Sequence, residues 1–406
     1  MGGAGLAFCD VIFGWDIGDA LYDNAALTGW HTGYPDAVAR PDPATYRPIP
    51  WERETALFLL DLFDKEGRPM AVAPRQLLQR IVARAEAMGY RPMFAVEYEF
   101  WFFRENAHTL REKGFRNLTT LSPGMFGYSV LRASANAELV VTLFDQLAEF
   151  GIPLEGLHTE TGPGVYEAAI NADTAVAAAD KAALFKTAVK EIAARYDLVP
   201  TFMAKWSVDL PGSGGHLHQS LWDRDGKRNL FHRAGAMSPL MKQYIAGLVA
   251  LAPEWMALLA PTINSYKRTV PGTWAPINST WGVDNRTTAV RAIPGSAKST
   301  RVEMRLTGAD INPYLAIAAS LAAGLEGIQR KLKLPPAVTN AYESKSAPPL
   351  PRNLAEATRR FRASRAARRW FGGEFVDHYA ATREWEVRQF EKAVTDWELQ
   401  RYLESI

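Results

Sequence analysis

The chain contains a single cysteine, Cys9, among its 406 residues, so no disulfide can form within it. A lone free thiol is typical of proteins that work in a reducing cytoplasm, and we predict that location. No stretch reaches the roughly 20 consecutive apolar residues that a membrane span requires. The opening residues lack the basic segment of a secretory signal, so we predict no export and no membrane partner.

The chain also lacks a large excess of charge of either sign. Its formal net charge is +2, with 22% charged residues, which gives no reason to expect nucleic acid or an anionic membrane as a partner. Residues 359–369 do carry six arginines. They lack the aromatic ladder on which nucleotide bases stack, so we interpret them as a solvated face or a subunit contact.

Internal repeats and a regular alternation of strands and helices are also absent. Apolar residues at helical spacing predict helices at residues 74–88, 135–150, 172–195, 238–258 and 313–333. Residues 54–62 have strand character. Asn353 with Glu356, and Thr395 with Glu398, predict capping boxes that open two C-terminal helices. These elements predict an α+β fold with an antiparallel sheet, without the repeated βα units of a parallel barrel.

Three short segments place charged or imidazole side chains on one face of a strand and apolar side chains on the other. The polar faces consist of Glu97 with Glu99, His216 with His218 and Ser220, and Arg301 with Glu303 and Arg305. A strand whose outer face meets only water needs no such selection. We therefore predict a polar cavity floored by a sheet, of the kind that supports metal-assisted phosphate chemistry.

Candidate metal ligands are spread over distant segments of the chain. They are Glu97, Glu99, Glu160, Glu167, His216 and Glu303. Five carboxylates and one imidazole form an oxygen-rich set, which suits Mg²⁺ or Mn²⁺ and argues against zinc. Glu160 and Glu167 flank a Gly-Pro-Gly turn that could direct both toward a common point. Taken singly, each of these motifs also has an ordinary structural explanation.

Longer motifs carry a more specific pattern. They are FAVEYEFWFF, HTETGPGVYEAAI, PGSGGHLHQSL, NSYKRTVPG, DNRTTAVRAIP and RVEMRLTGADINPYLAIAASLAAGLEGI. In content and in order they resemble the glutamine synthetase family, type I branch, across residues 90–330, with weaker resemblance before and after. Several motifs in the family's order are not expected by chance.

The resemblance implies a fold and an assembly. A small N-terminal β-grasp domain at residues 1–65 would precede a catalytic domain at residues 66–406, whose antiparallel strands line a funnel-shaped site. Type I relatives carry further residues before the point where this chain joins the pattern, so we expect a partial β-grasp domain. The resemblance also implies a homo-oligomer of stacked hexameric rings, a dodecamer, with sites between neighbouring subunits.

The implied reaction is ATP-dependent, with ATP as co-substrate. The γ-carboxylate of glutamate is phosphorylated, and an amine then displaces phosphate to give an amide. Two or three Mg²⁺ or Mn²⁺ ions per site would clamp the transferring phosphoryl group. By resemblance, the first ion binds Glu99, Glu160 and Glu167, and the second binds Glu97, His216 and Glu303.

The resemblance also implies the substrate contacts. Arginine suits several of them because its planar fork binds carboxylate and phosphate oxygens in pairs. Glutamate is held by Gly212, Arg268 and Arg305. The γ-phosphate and the acyl phosphate are stabilised by Arg286 and Arg291, and ATP is contacted by His218, Ser220, Arg286 and Arg301. The predicted catalytic residues are Arg268, Arg286 and Arg291.

The motifs depart from the ammonia-using members of the family at the amine position. Six residues beyond Arg268, where those members carry a glutamate that helps to hold and deprotonate ammonium, this chain has Trp274. An indole cannot accept that proton, although its face can contact a cation or an alkyl group. Trp274 is therefore a candidate residue of the amine pocket. It favours a γ-glutamylamine ligase that acts on a small alkyl, aryl or hydroxyalkyl amine, or on a polyamine. An ammonia-dependent glutamine synthetase and a non-catalytic scaffold of the same family are the alternatives.

Overall fold

The computed structural model of the chain describes residues 5–234, 236–344 and 347–406. Residues 1–4 of the predicted N-terminal domain lie outside the described residues. In chain order the strands are β1 (Leu6–Cys9), β2 (Asp36–Pro41), β3 (Arg47–Pro48), β4 (Ala56–Leu57), β5 (Leu60–Phe63), β6 (Tyr90–Phe103), β7 (Leu154–Thr159), β8 (Val165–Ile170), β9 (Asp173–Thr174), β10 (Val199–Thr201), β11 (Gly215–Asp223), β12 (His232–Arg233), β13 (Ala236–Met237), β14 (Trp281–Val283), β15 (Val290–Ile293) and β16 (Arg301–Met304). The α-helices are α1 (Pro74–Ala87), α2 (Ala107–Glu112), α3 (Val130–Ala135), α4 (Ala137–Glu149), α5 (Ala175–Ala194), α6 (Pro239–Leu259), α7 (Pro313–Gln329), α8 (Leu354–Ala363), α9 (Arg365–Phe371), α10 (Gly373–Lys392) and α11 (Asp396–Tyr402).

The helices predicted from apolar spacing are present as α1, α4, α5, α6 and α7, with ends that differ from the prediction by a few residues. Their starts follow local chemistry. A proline occupies the first turn of α1, α6 and α7, and Ser238 and Asn312 cap the latter two. Helix α5 begins later than predicted, at Ala175, because Asp173 and Thr174 pair with β6 as strand β9.

Two local predictions are only partly correct. Residues 54–62, predicted as one strand, form β4 and the beginning of β5 with a break between them. At α8, Asn353 caps the helix by accepting a hydrogen bond from the Glu356 amide at 2.8 Å. The Glu356 carboxylate, however, accepts from the amide of Arg352 rather than from the capping residue, so the box is half formed. The predicted box at α11 is complete.

A nine-stranded sheet forms the centre of the structure. Its path is β14-β15-β16-β11-β6-β8-β7, and β9 and β10 also pair with β6. The predicted α+β class is confirmed, because the sheet is largely antiparallel and is built without repeated βα units. One pair differs from the antiparallel prediction, since β14 and β15 run parallel.

The central strand β6 separates an apolar layer from a polar one. The residues on its back face are at most 1% exposed, namely Phe94, Val96, Tyr98, Phe100 and Phe102. Helices α1 and α5 contact this strand and complete the core. Burial of each large apolar side chain stabilises the fold by about 2 kcal/mol, so the strand cannot turn over without losing this layer. Glu97 and Glu99 therefore point to the opposite face.

The first part of the chain contains a small antiparallel sheet with the order β1-β2-β5. The guanidinium of Arg75, at the start of α1, connects this part to the rest of the chain. It contacts Asp42 at 2.8 Å, Asp61 at 2.9 Å and Asp180 at 3.0 Å. The division into domains at residue 65 and the β-grasp character of the first part stay predictions. Within the described ranges, no helix combines the length and the apolar character that crossing a membrane requires.

Candidate active site

Strand register places the predicted polar residues in rows across one face of the large sheet. Glu97 on β6 lies opposite His216 on β11. His218 on β11 lies opposite Glu303 on β16, which in turn lies opposite Arg291 on β15. Residues opposed in this way share a face of the sheet, with Cβ atoms about 5 Å apart. The meeting of these distant segments is therefore a direct result of how the strands pair.

A second row crosses β6, β8 and β7. Glu99 lies opposite Glu167, and Glu167 lies opposite His158. Glu160 directly follows β7, and the Gly-Pro-Gly turn then reverses the chain into β8. The turn requires glycine, because a Cβ at Gly164, where φ is +78°, would meet a backbone nitrogen at 2.8 Å. The predicted role of this turn, which is to bring two glutamates to one side, agrees with the geometry.

The two rows lie on the wall of one cavity of about 1500 Å³. This volume exceeds the roughly 300–1000 Å³ that is typical of a site for one small molecule, so more than one substrate has room. The predicted site residues on the wall are Glu97, Glu99, Glu160, Glu167, Gly212, His216, His218, Trp274, Arg286, Arg291, Arg301, Glu303 and Arg305. Two predicted residues, Arg268 and Ser220, are not on this wall.

Glu97, His216 and Glu303 converge within this cavity. The Nδ1 atom of His216 lies 3.3 Å from Oε1 of Glu97 and 3.6 Å from Oε1 of Glu303. His218 also reaches the cluster, with Nε2 2.9 Å from Oε2 of Glu97. Arg301 donates from Nε to Nδ1 of His218 at 3.1 Å, so Nε2 of His218 carries a proton and donates to Glu97. His216 has a similar arrangement, because Nη2 of Arg268 lies 3.5 Å from its Nε2 while its Nδ1 faces both carboxylates.

Burial and neighbouring charges shift the pKa values of these carboxyl groups. Burial raises the pKa of Glu167 to about 8, and the negative charges of Glu97 and Glu99 add to this effect. Burial also acts against ionisation of Glu97, but contacts with the two histidines hold its pKa well below the usual range. At Glu303, too, burial would raise the pKa, but the positive charge of Arg305 outweighs burial and lowers the pKa to about 2. Ionising Glu167 beside charged carboxylates therefore requires additional positive charge.

The donor set fits divalent cations. Among the described residues, ligand atoms of Glu97, His218 and Glu303 all lie within 4.8 Å of one another, so this group includes His218, which was predicted as a nucleotide contact, and not the predicted ligand His216. The paired positions of Glu99 and Glu167 on neighbouring strands supply a second group of oxygens. Oxygen-rich groups of this kind suit Mg²⁺ or Mn²⁺, and such ions would offset the repulsion between the carboxylates.

Two of the predicted substrate-binding arginines contact the same glutamate. Arg305 donates to Oε1 of Glu303 at 2.5 Å, and Arg291 donates to Oε2 of Glu303 at 3.0 Å. Arg291 also donates to Asp284 at 2.5 Å. The carbonyl oxygen of Arg286 accepts a hydrogen bond from Nε of Arg305 at 3.1 Å. These contacts keep the guanidinium groups beside the carboxylate cluster, where an anionic substrate in the cavity would meet them.

Arg268 lies buried behind the cavity wall. Its guanidinium donates to the carbonyl oxygens of Arg305 at 3.2 Å and Leu306 at 3.4 Å. Its stem packs on Gly212, where a Cβ would lie 2.8 Å from Cγ of Arg268 and 2.6 Å from the carbonyl oxygen of Ala204. Packing alone therefore requires glycine at this position. The roles of Gly212 and Arg268 in binding glutamate stay predictions.

Ser220 is the predicted nucleotide contact that the structure does not bring to the cavity. It lies on the same face of β11 as His218, about 7 Å further along the strand. Its hydroxyl accepts a hydrogen bond from the indole of Trp222 at 3.0 Å. Strand alternation identified the correct face, but it does not show how far along a strand a cavity extends.

Trp274 lies at the mouth of the cavity, on a loop. Its side chain is 66% exposed, and its backbone has a φ of +60°, which is unusual for a bulky residue. The cavity wall also includes the apolar residues Met203, Trp206 and Val270, together with Lys205 and Lys267. Among the described residues that line the cavity, Asp209 is the sole acid besides the predicted metal-binding glutamates.

Sequence reasoning missed two residues of this cavity, His158 and Tyr128. Nε2 of His158 lies 3.3 Å from Oε1 of Glu167, and this contact raises the pKa of His158 to about 9. Tyr128 stacks on the imidazole, with ring centroids 4.9 Å apart and planes at 24°. The nearby Glu160 carboxylate raises the pKa of Tyr128. The sequence did contain an indication, because His158 stands two positions before Glu160 and therefore on the same face of a strand.

Comparison with known proteins identifies the family. Residues 71–402 match the catalytic domain of glutamine synthetase. Because this match covers most of the chain, the protein belongs to the glutamine synthetase family. The resemblance drawn from the six motifs is confirmed.

Known relatives and a solved structure agree with this assignment. Type-1 glutamine synthetase 2 of Dictyostelium discoideum is 50% identical over 410 residues, which cover 99% of this chain and 78% of that protein. Glutamate–isopropylamine ligase of a Pseudomonas species is 42% identical over 407 residues, which cover 99% of this chain and 89% of that protein. The structure of GmaS in complex with ADP matches with a TM-score of 0.84 at 29% identity, covering 98% of this chain and 90% of that chain. The predicted glutamine synthetase catalytic fold is therefore confirmed.

Proposed function

We propose that this protein is an ATP-dependent ligase that joins the γ-carboxylate of glutamate to an amine other than ammonia, through a γ-glutamyl phosphate intermediate. One observation carries the proposal: five glutamate carboxylates and four arginines line one cavity of a chain from the glutamine synthetase family. Carboxylates that hold divalent cations, and arginines that hold anions, are the parts that phosphoryl transfer to a carboxylate requires.

In the proposed reaction, an oxygen of the glutamate γ-carboxylate attacks the γ-phosphorus of ATP, and ADP leaves. The amine nitrogen then attacks the acyl carbon, and inorganic phosphate leaves with the oxygen that came from the carboxylate. The amine loses a proton as the amide forms. We assign glutamate to Arg268, Arg305 and Gly212, the phosphoryl group to Arg286 and Arg291, and the nucleotide to His218, Ser220, Arg286 and Arg301.

Divalent cations complete the proposed site. When bound, they supply positive charge that screens the phosphoryl oxygens as these approach the glutamate carboxylate. The chain itself holds Glu303 in place, since both of its oxygens accept hydrogen bonds from arginines. We assign one Mg²⁺ or Mn²⁺ ion to Glu99, Glu160 and Glu167 and another to Glu97, His216 and Glu303, with up to three ions per site.

The indole of Trp274 on the cavity wall supports an amine other than ammonia. An alkyl amine with a pKa near that of lysine, about 10.4, is neutral in only about one molecule per thousand at neutral pH. A poorly solvated apolar site favours the neutral form, which is the nucleophile. Asp209 alone offers little to the second ammonium of a polyamine, so we favour small alkyl, aryl or hydroxyalkyl amines. The relative named as an isopropylamine ligase supports this class.

An amine panel tests the proposal. Phosphate release is measured with glutamate, ATP and Mg²⁺ and with ammonia, isopropylamine, ethanolamine, aniline or putrescine at equal concentration. We expect at least one organic amine to give faster release than ammonia. Product formation with ammonia alone would show that the amine assignment is wrong. Trp274→Glu should increase the use of ammonia relative to the organic amine, whereas the control Trp274→Phe should not.

Two other functions are separated by simple measurements. An ammonia-dependent glutamine synthetase is favoured by the 50% identity to the Dictyostelium protein of that name, and the amine panel distinguishes it. A non-catalytic scaffold is disfavoured, because buried like-charged carboxylates are costly without cations that neutralise them. Calorimetry with Mg²⁺ and ATP tests it, since a scaffold would give no nucleotide-binding heat.

We also propose that the protein is a cytoplasmic dodecamer of stacked hexameric rings. Large apolar side chains that are exposed on the single chain support burial against other subunits, including Ile17 at 102%, Leu403 at 75% and Ile406 at 97% exposure. Twelve chains of 45.0 kDa would have a mass of about 540 kDa, which light scattering measures directly. The mass of a single chain would contradict the proposed assembly.

A further inference from the structure

His158 meets hydrogen-bond acceptors at both of its ring nitrogens. On one side, Nδ1 lies 3.2 Å from the carbonyl oxygen of Thr159. On the other side, Nε2 lies 3.3 Å from Oε1 of Glu167, which is the residue directly opposite on the neighbouring strand. A carbonyl oxygen can only accept, so Nδ1 donates to Thr159. The imidazole therefore bridges the backbone of β7 and the Glu167 carboxyl group on β8 through its two ring nitrogens.

This bridge engages Oε1 of Glu167. Glu167 also lies opposite Glu99 on β6, so the contact with His158 fixes the carboxyl group from the side away from Glu99. We propose that His158 is a positioning residue that orients the Glu167 carboxylate for a divalent cation. The inference rests on the metal-dependent ligase proposed above and concerns how its first cation site is prepared. Residues that hydrogen-bond to metal ligands set the orientation of those ligands in this way.

The surroundings of His158 hold its ring in the bridging orientation. Tyr128 covers one face of the imidazole, with centroids 4.9 Å apart. The Tyr128 amide donates to the Thr159 carbonyl oxygen at 2.7 Å, and the Ser129 amide donates to Oγ1 of Thr159 at 2.9 Å. The loop that carries Tyr128 is thus bound to the same residue that accepts from His158. Tyr128 itself has a φ of +55°, which a non-glycine residue adopts only when such contacts hold it.

The competing role for His158 is that of a direct ligand. If Nε2 were unprotonated, its lone pair could coordinate a cation while Nδ1 donates to Thr159. The structure favours the positioning role, because Nε2 lies within hydrogen-bonding distance of Oε1 of Glu167, the residue directly opposite on β8. The two roles differ in electron paramagnetic resonance with Mn²⁺, because only a direct ligand gives a direct coupling between the imidazole nitrogen and the ion.

Binding of Mn²⁺ to the full chain, without nucleotide or glutamate, tests the proposal. Electron paramagnetic resonance counts bound and free Mn²⁺ and resolves the two classes of site by titration. His158→Phe keeps an aromatic ring that can stack on Tyr128 but removes both ring nitrogens. His158→Leu is a second variant that removes both nitrogens. His158→Gln restores a donor near the position of Nε2. His108→Leu, at an exposed histidine on α2, is the matched control.

We expect His158→Phe or His158→Leu to weaken one class of Mn²⁺ site by about 10- to 100-fold and to leave the other unchanged. His158→Gln should recover most of the affinity, and His108→Leu should have none of these effects. Unchanged binding, or equal weakening of both classes, would overturn the proposal. A direct nitrogen coupling to Mn²⁺ that disappears in His158→Phe would make His158 a ligand and also overturn it. Because no substrate is present, a failure of the ligase assignment would not alter this result.

Discussion

Replacement of Arg75 tests how the first part of the chain is held to the catalytic part. The Arg75 side chain is 10% exposed and contacts carboxylates from three separate segments, Asp42, Asp61 and Asp180, at 2.8 to 3.0 Å. Burial opposes its charge, but these carboxylates outweigh burial and raise the pKa of Arg75. Arg75→Met would keep much of the volume of the side chain and would leave three neighbouring carboxylates without their shared cation.

The expected cost follows from the exposure of the partners. Removal of one member of a buried ion pair costs about 3–5 kcal/mol. Asp180 is 5% exposed and would bear most of this cost, whereas Asp42 at 29% and Asp61 at 19% can be hydrated. We therefore expect a loss of about 3 kcal/mol, at the lower end of that range. Arg75→Lys should cost less, because it keeps the charge but loses the fork that reaches several carboxylates.

Equilibrium unfolding in urea measures this loss through the shift of the transition midpoint. The matched control is Arg68→Met, since Arg68 also contacts two acids but is 72% exposed. Exposed pairs contribute at most about 1 kcal/mol, so the control should shift the midpoint little. Equal shifts for Arg75→Met and Arg68→Met would refute the reasoning, because burial would then play no part in the strength of these contacts.

Three further predictions concern the site and the response to acid and metal. Glu303→Ala should abolish phosphate release without changing the mass measured by light scattering. The control Glu343→Ala, at an exposed position, should change neither phosphate release nor mass. If Glu303→Ala retains turnover, Glu303 is not one of the metal ligands. Burial lowers the pKa of His378 to about 4, so below pH 6.5 the unfolded chain binds a proton at this histidine more readily than the folded chain does. The contribution of His378 to the free energy of unfolding is therefore complete above pH 6.5 and is lost as the pH falls toward 4. Between pH 7.5 and 5.5, wild type should lose about 1 kcal/mol more of its free energy of unfolding in urea than His378→Leu does, and equal losses in the two proteins would contradict this. Chelation of divalent ions should stop turnover, and Mg²⁺ at a hundredfold excess over its dissociation constant should restore it. The same Mg²⁺ concentration should stabilise the folded chain by about 2.7 kcal/mol in thermal unfolding. An unchanged midpoint of thermal unfolding would contradict binding of Mg²⁺ to the folded site.

The sequence predicts the faces of the strands well because alternation is a local property. Glu97 and Glu99 fall on one side of β6 and the aromatic residues on the other, and the structure follows that pattern over the whole strand. The helices were found for a similar reason, since apolar spacing, an initial proline and a capping side chain all act within a few residues. The family and its fold were reached through motifs whose order along the chain carries information that no single motif has.

Features that depend on pairing between distant segments were harder to predict. The pairing of β11 with β16, which sets His218 against Glu303, is fixed by the whole sheet and cannot be read from either segment alone. Ser220 does not line the cavity although it shares a face of β11 with His218, because strand alternation does not show how far along a strand a cavity extends. The parallel pairing of β14 and β15 likewise depends on the path of the chain between them. Arg291 and Arg305 line the cavity, but their shared contact with Glu303 appears only in three dimensions.

Transfer of labelled oxygen tests the central claim most directly. Glutamate carrying oxygen-18 in its γ-carboxylate is incubated with the protein, ATP, Mg²⁺ and the best amine of the panel, and the released phosphate is analysed by mass spectrometry. The proposed chemistry predicts that each phosphate carries one labelled oxygen, because the carboxylate oxygen that attacks phosphorus leaves with it. Unlabelled phosphate, released at the rate of amide formation, would contradict the acyl phosphate route and with it the proposed use of this cavity.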